Sequence, residues 1–299
     1  MLTRSRLMYV TLHVRDLAES RRFYEDVLGL RALDPDDTSV SYPVGHVILS
    51  LQSAPDSAVP LGDPDRSLTL ALLVDDVQKT RATMEERGGR LQPTQTSRAG
   101  TMAEFYDPDG HWLSLYAVSE GAMGWPSGRK VEALREASAG HRKPGDDHQE
   151  LLYVFLYVRD LHATEEFYQR MLGLVPMETN TCHRGVTSVA DGVVKYDGGG
   201  VLLTTHHVGE GEHAALHKVA TEGSKSVAFG FHTADLKASA AELSARGLTF
   251  GGEPVVSRIG ATASFEDPGG YRYYLCEPSE ETMAGPGGAE IRRILGADL

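Results

Sequence analysis

Three side chains in this sequence have the chemistry and the placement to move a proton. His13 and His232 each end a strand-like segment, three residues before an aspartate that begins a helix. An imidazole titrates near neutral pH, so either histidine could act as a general base. Glu104 lies three residues before Asp107 and could form an acid/base pair with His13. The alternatives stay open: a histidine of the core or of the solvated surface, and a carboxylate on an exposed strand face.

Aromatic side chains dominate one face of another strand-like segment. Side chains alternate in a strand, so Tyr153, Phe155 and Tyr157 point to one side. Arg272 and Tyr274 share a face of the last strand in the same way. Rings with a polar tip suit a planar aromatic ligand. They could equally fill the core of a sheet that binds nothing.

Two further groups of residues invite a chemical interpretation. The histidine-rich stretch 206–217 includes His213 and His217, which would share a helix face and could bind a metal if a third donor converged. A solvated loop is the alternative. Cys182 precedes His183, but no base or oxyanion donor is placed beside the thiol, so a nucleophile there is disfavoured.

The elements that must position these side chains occur twice. Residues 9–17 return as residues 153–161, and the helical residues 23–30 return as residues 167–174. A unit repeated within one chain usually needs a second copy to bury its apolar face. Each copy therefore predicts a packing partner.

Each half of the chain contains the same pattern again. Tyr9–Val14 alternates like a half-buried strand, Asp16 predicts a helix N-cap, and Gly29 predicts its end. Strands follow, and Asp76 then caps a second helix. We expect an α+β fold of four βαβββ modules in two domains. The predicted boundaries are residues 5–118 for the first domain, 119–149 for a linker with a short helix at Val131–Ala137, 150–278 for the second domain and 279–299 for a tail with an amphipathic stretch at Ala289–Leu295.

Composition narrows the class of partner. The net charge of −13 disfavours nucleic acid and anionic membranes, because both require a basic face. Two cysteines imply no disulfide framework, and neither a signal peptide nor a membrane span is evident, so we expect a cytoplasmic protein. We expect a small-molecule ligand, and a monomer or a homodimer.

The combined motifs resemble the vicinal oxygen chelate superfamily, which includes glyoxalase I, fosfomycin-resistance proteins, bleomycin-binding proteins and extradiol dioxygenases. The strand ending in Val14-Arg15-Asp16-Leu17, the helix with Phe23-Tyr24 and Leu28-Gly29-Leu30, and the closing turn Asp107-Pro108-Asp109-Gly110 carry this resemblance. It implies a cup-shaped half-barrel in each domain, whose concave face holds a small molecule. The length and four modules are most similar to two-domain extradiol dioxygenases.

The same resemblance implies where a divalent metal would be bound. In catalytic members, His and Glu side chains from several strands hold the ion with open positions for substrate oxygens. Transferred to this sequence, those positions fall on Tyr9, Thr69 and Ser114 in the first domain and on Tyr153, Ala228 and Tyr274 in the second. None of these six residues is His, Asp or Glu. We therefore expect no metal and no other cofactor.

These expectations combine into one leading hypothesis. The chain would bind an aromatic or polyketide-like molecule without a metal, as drug-binding relatives do, in the cup of the second domain. The predicted contacts are Tyr153, Phe155, Tyr157 and Tyr274, with polar contacts from His232, Ser264 and Arg272, and with Tyr9 and Ser114 as the matching contacts of the first cup. Whether it is an enzyme stays open, and turnover would need His232, His13 or Glu104 as acid or base. The alternatives are an iron- or manganese-dependent extradiol dioxygenase and a scaffold or regulatory protein with degenerate cups.

Overall fold

A computed structural model describes residues 6–33, 35–54, 65–139, 149–181, 192–208 and 224–296. The predictions for Cys182, His183, His213 and His217 lie outside these residues.

The described residues form four modules and two helical connections. Module 1 contains β1 (Leu7–Val14), α1 (Leu17–Arg22), β2 (Ser39–Val44) and β3 (Val47–Ser53). Module 2 contains β4 (Asp65–Leu73), α2 (Val77–Glu86), β5 (Gln95–Thr96), β6 (Gly100–Tyr106) and β7 (His111–Val118), and is followed by α3 (Glu120–Met123) and α4 (Pro126–Ala139). Module 3 contains β8 (Glu150–Val158), α5 (Leu161–Glu166), β9 (Pro176–Thr181), β10 (Gly192–Asp197) and β11 (Leu202–His207). Module 4 contains β12 (Val227–His232), α6 (Leu236–Ala245), β13 (Val255–Val256), β14 (Gly260–Glu266) and β15 (Arg272–Pro278), and is followed by α7 (Glu280–Ala284) and α8 (Pro286–Gly296). The predicted α+β class and the four repeated modules are confirmed.

The repeated helix begins and ends as its sequence predicts. The Asp16 carboxylate accepts a hydrogen bond of 3.0 Å from the backbone N–H of Glu19, which satisfies one free donor of the first turn. The helix continues from α1 into one π-helical turn at Phe23–Val27. The chain then turns at Gly29, whose φ of 77° is costly for a residue with a side chain.

The strands form two sheets, and each sheet combines a module from each half of the chain. Sheet A has the order β13-β14-β15-β12-β1-β3-β2, so it joins modules 1 and 4. Sheet B has the order β5-β6-β7-β4-β8-β11-β10-β9 and joins modules 2 and 3. The central contacts are antiparallel pairs between first strands of modules, β1 with β12 and β4 with β8. The two cups therefore do not follow segments 5–118 and 150–278, which corrects the expectation of one cup within each half.

A single apolar core joins the backs of the two sheets. One buried cluster includes Val10 and Phe229 of sheet A together with Leu70 and Val154 of sheet B. The alternate residues of the same strands point away from this core. The two concave faces therefore lie on opposite sides of the molecule.

Buried Tyr–Asp hydrogen bonds link modules that belong to different sheets. Tyr24, in the π turn of module 1, donates at 2.9 Å to Asp107 in the closing turn of module 2. Tyr168 of module 3 donates at 2.6 Å to Asp267 of module 4. Each aspartate also accepts two backbone N–H groups of its own turn, so the carboxylate sets the shape of the turn as well. These contacts explain why the Phe-Tyr pair and the Asp-Pro turn recur together.

We predict that Tyr24→Phe destabilises the fold by about 1–3 kcal/mol, because it removes a donor from a buried carboxylate. Tyr42→Phe is the matched control: its hydroxyl donates to Glu25, which is 31% exposed and can be rehydrated. We expect the control to cost about 1 kcal/mol or less. The measurement is the free energy of unfolding in urea. Equal losses in the two variants would contradict this role of the Tyr24–Asp107 bond.

The buried carboxyl of Asp267 predicts that the stability of the fold depends on pH. Burial raises its pKa to about 6, despite hydrogen bonds from Tyr168 and two backbone N–H groups that lower it. The unfolded carboxyl titrates near pH ~3.9, so between these values the folded state holds a proton that the unfolded state has released. Stability from this group is therefore present below pH ~4 and is lost as the pH rises through 6, by about 3 kcal/mol.

The comparison that isolates this effect uses Asp267→Asn, which does not titrate. The unfolding free energy of the wild type minus that of the variant should fall between pH 4 and pH 7. A constant difference across this range would show that Asp267 is already ionised in the acid folded state.

Candidate functional site

The concave face of each sheet forms a cup that is closed at one end by a helix. We call them cup A (sheet A) and cup B (sheet B). In cup A, Ile291 and Ile294 of α8 pack against Met8, Tyr9 and Ile48. In cup B, α4 covers the corresponding end: Val131 and Leu134 pack with Ala71, Leu152 and Tyr153.

The two closing helices are themselves a repeat, in residues expected above to form a linker and a tail. Ser119 caps α3 by accepting from the N–H of Ala122, and Ser279 caps α7 by accepting from the N–H of Thr282. Both capping serines begin the same motif, Ser-Glu-x-x-Met-x-x-Pro-x-Gly, at 119–128 and 279–288. This motif was visible in the sequence and would have predicted two equivalent caps. The helix expected at Val131–Ala137 runs over the longer range of α4.

Two tyrosines and a threonine fill the centre of cup A. The rings of Tyr9 and Tyr274 stack with centroids 6.5 Å apart, and the Tyr274 hydroxyl shares a 2.9 Å hydrogen bond with Thr11. The Tyr274 ring lies against Gly230, where a Cβ atom would collide with it. The polar tips of this cup are therefore largely satisfied within the protein.

The two candidate histidines lie towards opposite ends of cup A, because β1 and β12 are antiparallel. The Tyr9 hydroxyl and His232 Nδ1 share a hydrogen bond of 3.3 Å, and burial lowers the pKa of His232. His13 Nδ1 lies 3.3 Å from the carbonyl oxygen of Ser226, which can only accept. The proton of a neutral His13 is therefore on Nδ1, and Nε2 carries the lone pair. Burial, with a smaller contribution from Arg272, lowers the pKa of His13.

The remaining predicted residues divide between the cups. Glu104 is on sheet B and His13 is on sheet A, which corrects the expected acid/base pair. The expected aromatic site is divided too: Tyr153, Phe155 and Tyr157 are in sheet B, whereas His232, Ser264, Arg272 and Tyr274 are in sheet A. The exchange of modules is the physical reason, because it assigns β8 and β15 to different sheets.

A row of rings crosses cup B at the end away from α4. Tyr106 stacks on Trp112 at 6.5 Å, Trp112 stacks on Tyr157 at 5.6 Å with 16° between planes, and Tyr157 meets His206 at 5.4 Å. Burial raises the pKa of Tyr157 to about 12, and nearby Glu104 adds to the shift. Trp112 was missed as a site residue, although strand alternation places it on the same face as the predicted Ser114.

Beside this row, the concave face of sheet B, which we call the floor of cup B, holds three polar groups without a described partner. Ser114 Oγ, Thr204 Oγ1 and Trp112 Nε1 are buried and have no hydrogen bond within the described part of the chain. Glu104 pairs with Ser114 across β6 and β7. Its half-buried carboxylate has no described hydrogen bond or ion pair among these residues, and burial raises its pKa. A buried polar group left unpaired costs about 1–3 kcal/mol.

The covered end of cup B contains a buried ion pair. Lys195 Nζ donates to Glu178 at 2.6 Å and to Ser127 Oγ at 3.1 Å, and lies 5.6 Å from the Tyr153 ring centroid. Glu178 also accepts from the backbone N–H of Ser127 in α4. Burial raises the pKa of Glu178, but these hydrogen bonds outweigh it and the net pKa is lowered. This network ties the helical cap to the edge of sheet B.

A cleft of about 420 Å³ lies beside this cap rather than in either cup. It is lined by Pro126, Lys130 and Asp197 and by the segment 175–177. Lys130 and Asp197 already form an ion pair of 3.0 Å.

The residues at the metal positions implied by the resemblance do not fit a divalent ion. Cup A presents Tyr9, Ala228 and Tyr274 there, and burial raises the pKa of both phenols, which disfavours a phenolate ligand. Cup B presents Thr69, Ser114 and Tyr153, whose pKa is also raised by burial. Among the residues that the structure describes, no three His, Cys, Asp or Glu side chains are grouped to hold a metal.

Comparison with known proteins agrees with this architecture. The sequence model of the Glyoxalase/Bleomycin resistance protein/Dioxygenase superfamily matches residues 6–115 and 150–274. Catechol-2,3-dioxygenase of Bacillus subtilis (strain 168) is 28% identical over 187 residues, which cover 55% of this chain and 64% of that protein, somewhat less than two thirds of its length.

Two solved structures share the fold over most of the chain. Glyoxalase I from Zea mays superposes with a TM-score of 0.61 at 18% identity, covering 91% of this chain and 92% of that one. A putative dioxygenase from Bacillus subtilis superposes with a TM-score of 0.62 at 14% identity, covering 95% of this chain and 90% of that one. At these identities the likeness concerns the fold alone. Within the described residues, no helix has the length and apolar character to cross a membrane.

The cap network yields a stability prediction. Lys195→Met should destabilise the fold by about 3–5 kcal/mol, because it leaves the carboxylate of Glu178 buried beside α4 without its cation. The double variant Lys195→Met with Glu178→Gln keeps an acceptor for Ser127 and removes the unpaired charge. It should lie closer to the wild type than the single variant in urea unfolding. A double variant that is no more stable than Lys195→Met would refute this account.

Proposed function

The chain belongs to the Glyoxalase/Bleomycin resistance protein/Dioxygenase superfamily, and from this premise we propose that it binds a planar aromatic small molecule in cup B without a metal ion. This keeps the ligand class expected from the sequence and moves the site to the cup that modules 2 and 3 build together.

The row of rings supports the aromatic part of the ligand. Trp112 and Tyr157 are nearly parallel, come from opposite sides of the β4–β8 seam, and lie at the end of the cup away from α4. A planar molecule can lengthen this row at the half-buried ring of Tyr106 and bury apolar area against it. Phe155, partly exposed on the same face, adds a further apolar wall.

The observation that carries the proposal is a set of buried polar groups on the concave face of cup B that have no partner in the described part of the chain. Ser114 Oγ, Thr204 Oγ1 and Trp112 Nε1 can each hydrogen-bond a ligand substituent. Such groups are rare in folded proteins because their desolvation is not compensated. In cup A the counterpart of Ser114 is Tyr274, whose hydroxyl bonds Thr11. The counterpart of Thr204 is Ser50, whose hydroxyl bonds Ser41.

A metal-dependent extradiol dioxygenase is the second candidate, favoured by the similarity to a protein named Catechol-2,3-dioxygenase. The hydroxyl, methyl and high-pKa phenol groups at the metal positions oppose it. Metal analysis separates the candidates: a stoichiometric ion whose removal abolishes ligand binding would support the dioxygenase.

We predict that 2-naphthol binds to cup B and that Trp112→Leu weakens this binding at least tenfold, because the central ring of the stack is lost. Tyr274→Leu is the matched control, since it removes a ring from cup A. Its affinity should stay within about twofold of the wild type. Isothermal titration calorimetry gives the dissociation constants, and the melting temperature of each free variant reports folding.

The fluorescence of Trp112 can also report ligand binding. The sequence contains two tryptophans, so Trp125→Phe leaves Trp112 as the sole indole, and 2-naphthol should quench its emission saturably. Unchanged binding in Trp112→Leu together with lost binding in Tyr274→Leu would place the site in cup A and refute the proposal for cup B.

A further inference from the structure

One carboxylate of cup B takes no part in the ion pairs that the structure describes. Glu104 lies half-buried on the floor, on β6, and no described residue forms an ion pair with it. The lysines nearest the cap of this cup are already used: Lys195 pairs with Glu178, and Lys130 pairs with Asp197. A partly desolvated carboxylate without a cation is costly, so a ligand that brings a positive charge would relieve it.

The rings beside Glu104 favour the same sign of charge. Tyr106 lies two residues further along the same strand, and it stacks on Trp112 of the neighbouring strand. Glu104 is also close enough to Tyr157 to contribute to that hydroxyl's raised pKa. The faces of aromatic rings carry negative potential and attract cations, Trp most strongly. Carboxylate and rings together form a site for a delocalised positive charge.

In cup A, the described residues do not combine an unpaired carboxylate with a row of rings. Arg272 lies near His13 on its concave face, and this arginine contributes to the lowered pKa of His13. The nearest described carboxylate, Glu266, lies 3.8 Å from Arg272 and is 62% exposed. A cationic ligand would therefore prefer cup B to cup A because of its charge.

We propose that the natural ligand of cup B is a planar organic cation, such as an N-alkylated or protonated heteroaromatic ring, placed against the Tyr106 end of the row of rings with its positive charge against Glu104. This inference rests on the proposed function and specifies its ligand class. The net charge of −13 accelerates the approach of such a ligand from solution. A substituent oxygen or N–H of the ligand would reach Ser114 and Thr204.

The test uses three probes with the same ring system and different charge: N-methylacridinium, acridine and acridine-9-carboxylate, at pH 8, where acridine is neutral. The wild type should bind the cation at least tenfold more tightly than acridine and should bind the carboxylate most weakly. Glu104→Gln should weaken binding of the cation about tenfold and change binding of acridine less than twofold. Glu253→Gln, which removes one negative charge from an exposed position, controls for the overall charge and should leave all three affinities unchanged.

Salt provides a readout that does not depend on any variant. Raising NaCl from 20 to 300 mM should weaken binding of the cation and leave acridine binding unchanged. Equal binding of cation and acridine by both the wild type and Glu104→Gln would overturn the cation inference while leaving the proposed aromatic site intact. Binding of none of the three probes would overturn both.

Discussion

The arrangement of this molecule depends on a buried hydrogen bond that occurs twice, from a tyrosine in a π-helical turn to an aspartate in a closing turn. In each case the donor and the acceptor are in one half of the chain, but they belong to modules of different sheets. The bond therefore holds the backs of the two sheets together across the shared core. Because the aspartate also organises its own turn, the last strand of modules 2 and 4 starts in a fixed register. The concave faces must then open outwards, on opposite sides.

The exchange of modules determines which side chains can act together. Pairing of β4 with β8 brings Thr69 opposite Phe155 and places the rings of Trp112 and Tyr157 in one stack. Pairing of β1 with β12 brings Tyr9 opposite Gly230, and the missing side chain of Gly230 admits the Tyr274 ring. A site composed from one half of the chain would have combined residues that lie in different cups. The topology of the sheets, not proximity in sequence, therefore decides which side chains share a cup.

The sequence predicted local structure well because local signals are unambiguous: Asp16 and Asp76 cap helices, Gly29 takes a positive φ, and alternation marks the strands. It could not predict the pairing of modules, since four similar modules satisfy the same hydrophobic pattern in either arrangement. Two features that were missed could have been found in the sequence: the second copy of the cap motif and the position of Trp112. The separation of Glu104 from His13 could not, because it depends on the order of strands in the sheets.

The two cups build different interiors on the same framework. In cup A the centre is occupied by Tyr9 and Tyr274, and their hydroxyls bond to His232 and Thr11 inside the protein. Such a closed network stabilises the cup but offers little to a ligand. In cup B, rings occupy one side of the concave face, and the hydroxyls of Ser114 and Thr204 find no partner among the residues that the structure describes. Evolution towards stability alone would remove those groups, because alanine or valine would cost less there. Their presence beside Glu104, which forms no ion pair within the described residues, is best explained by a molecule that binds them.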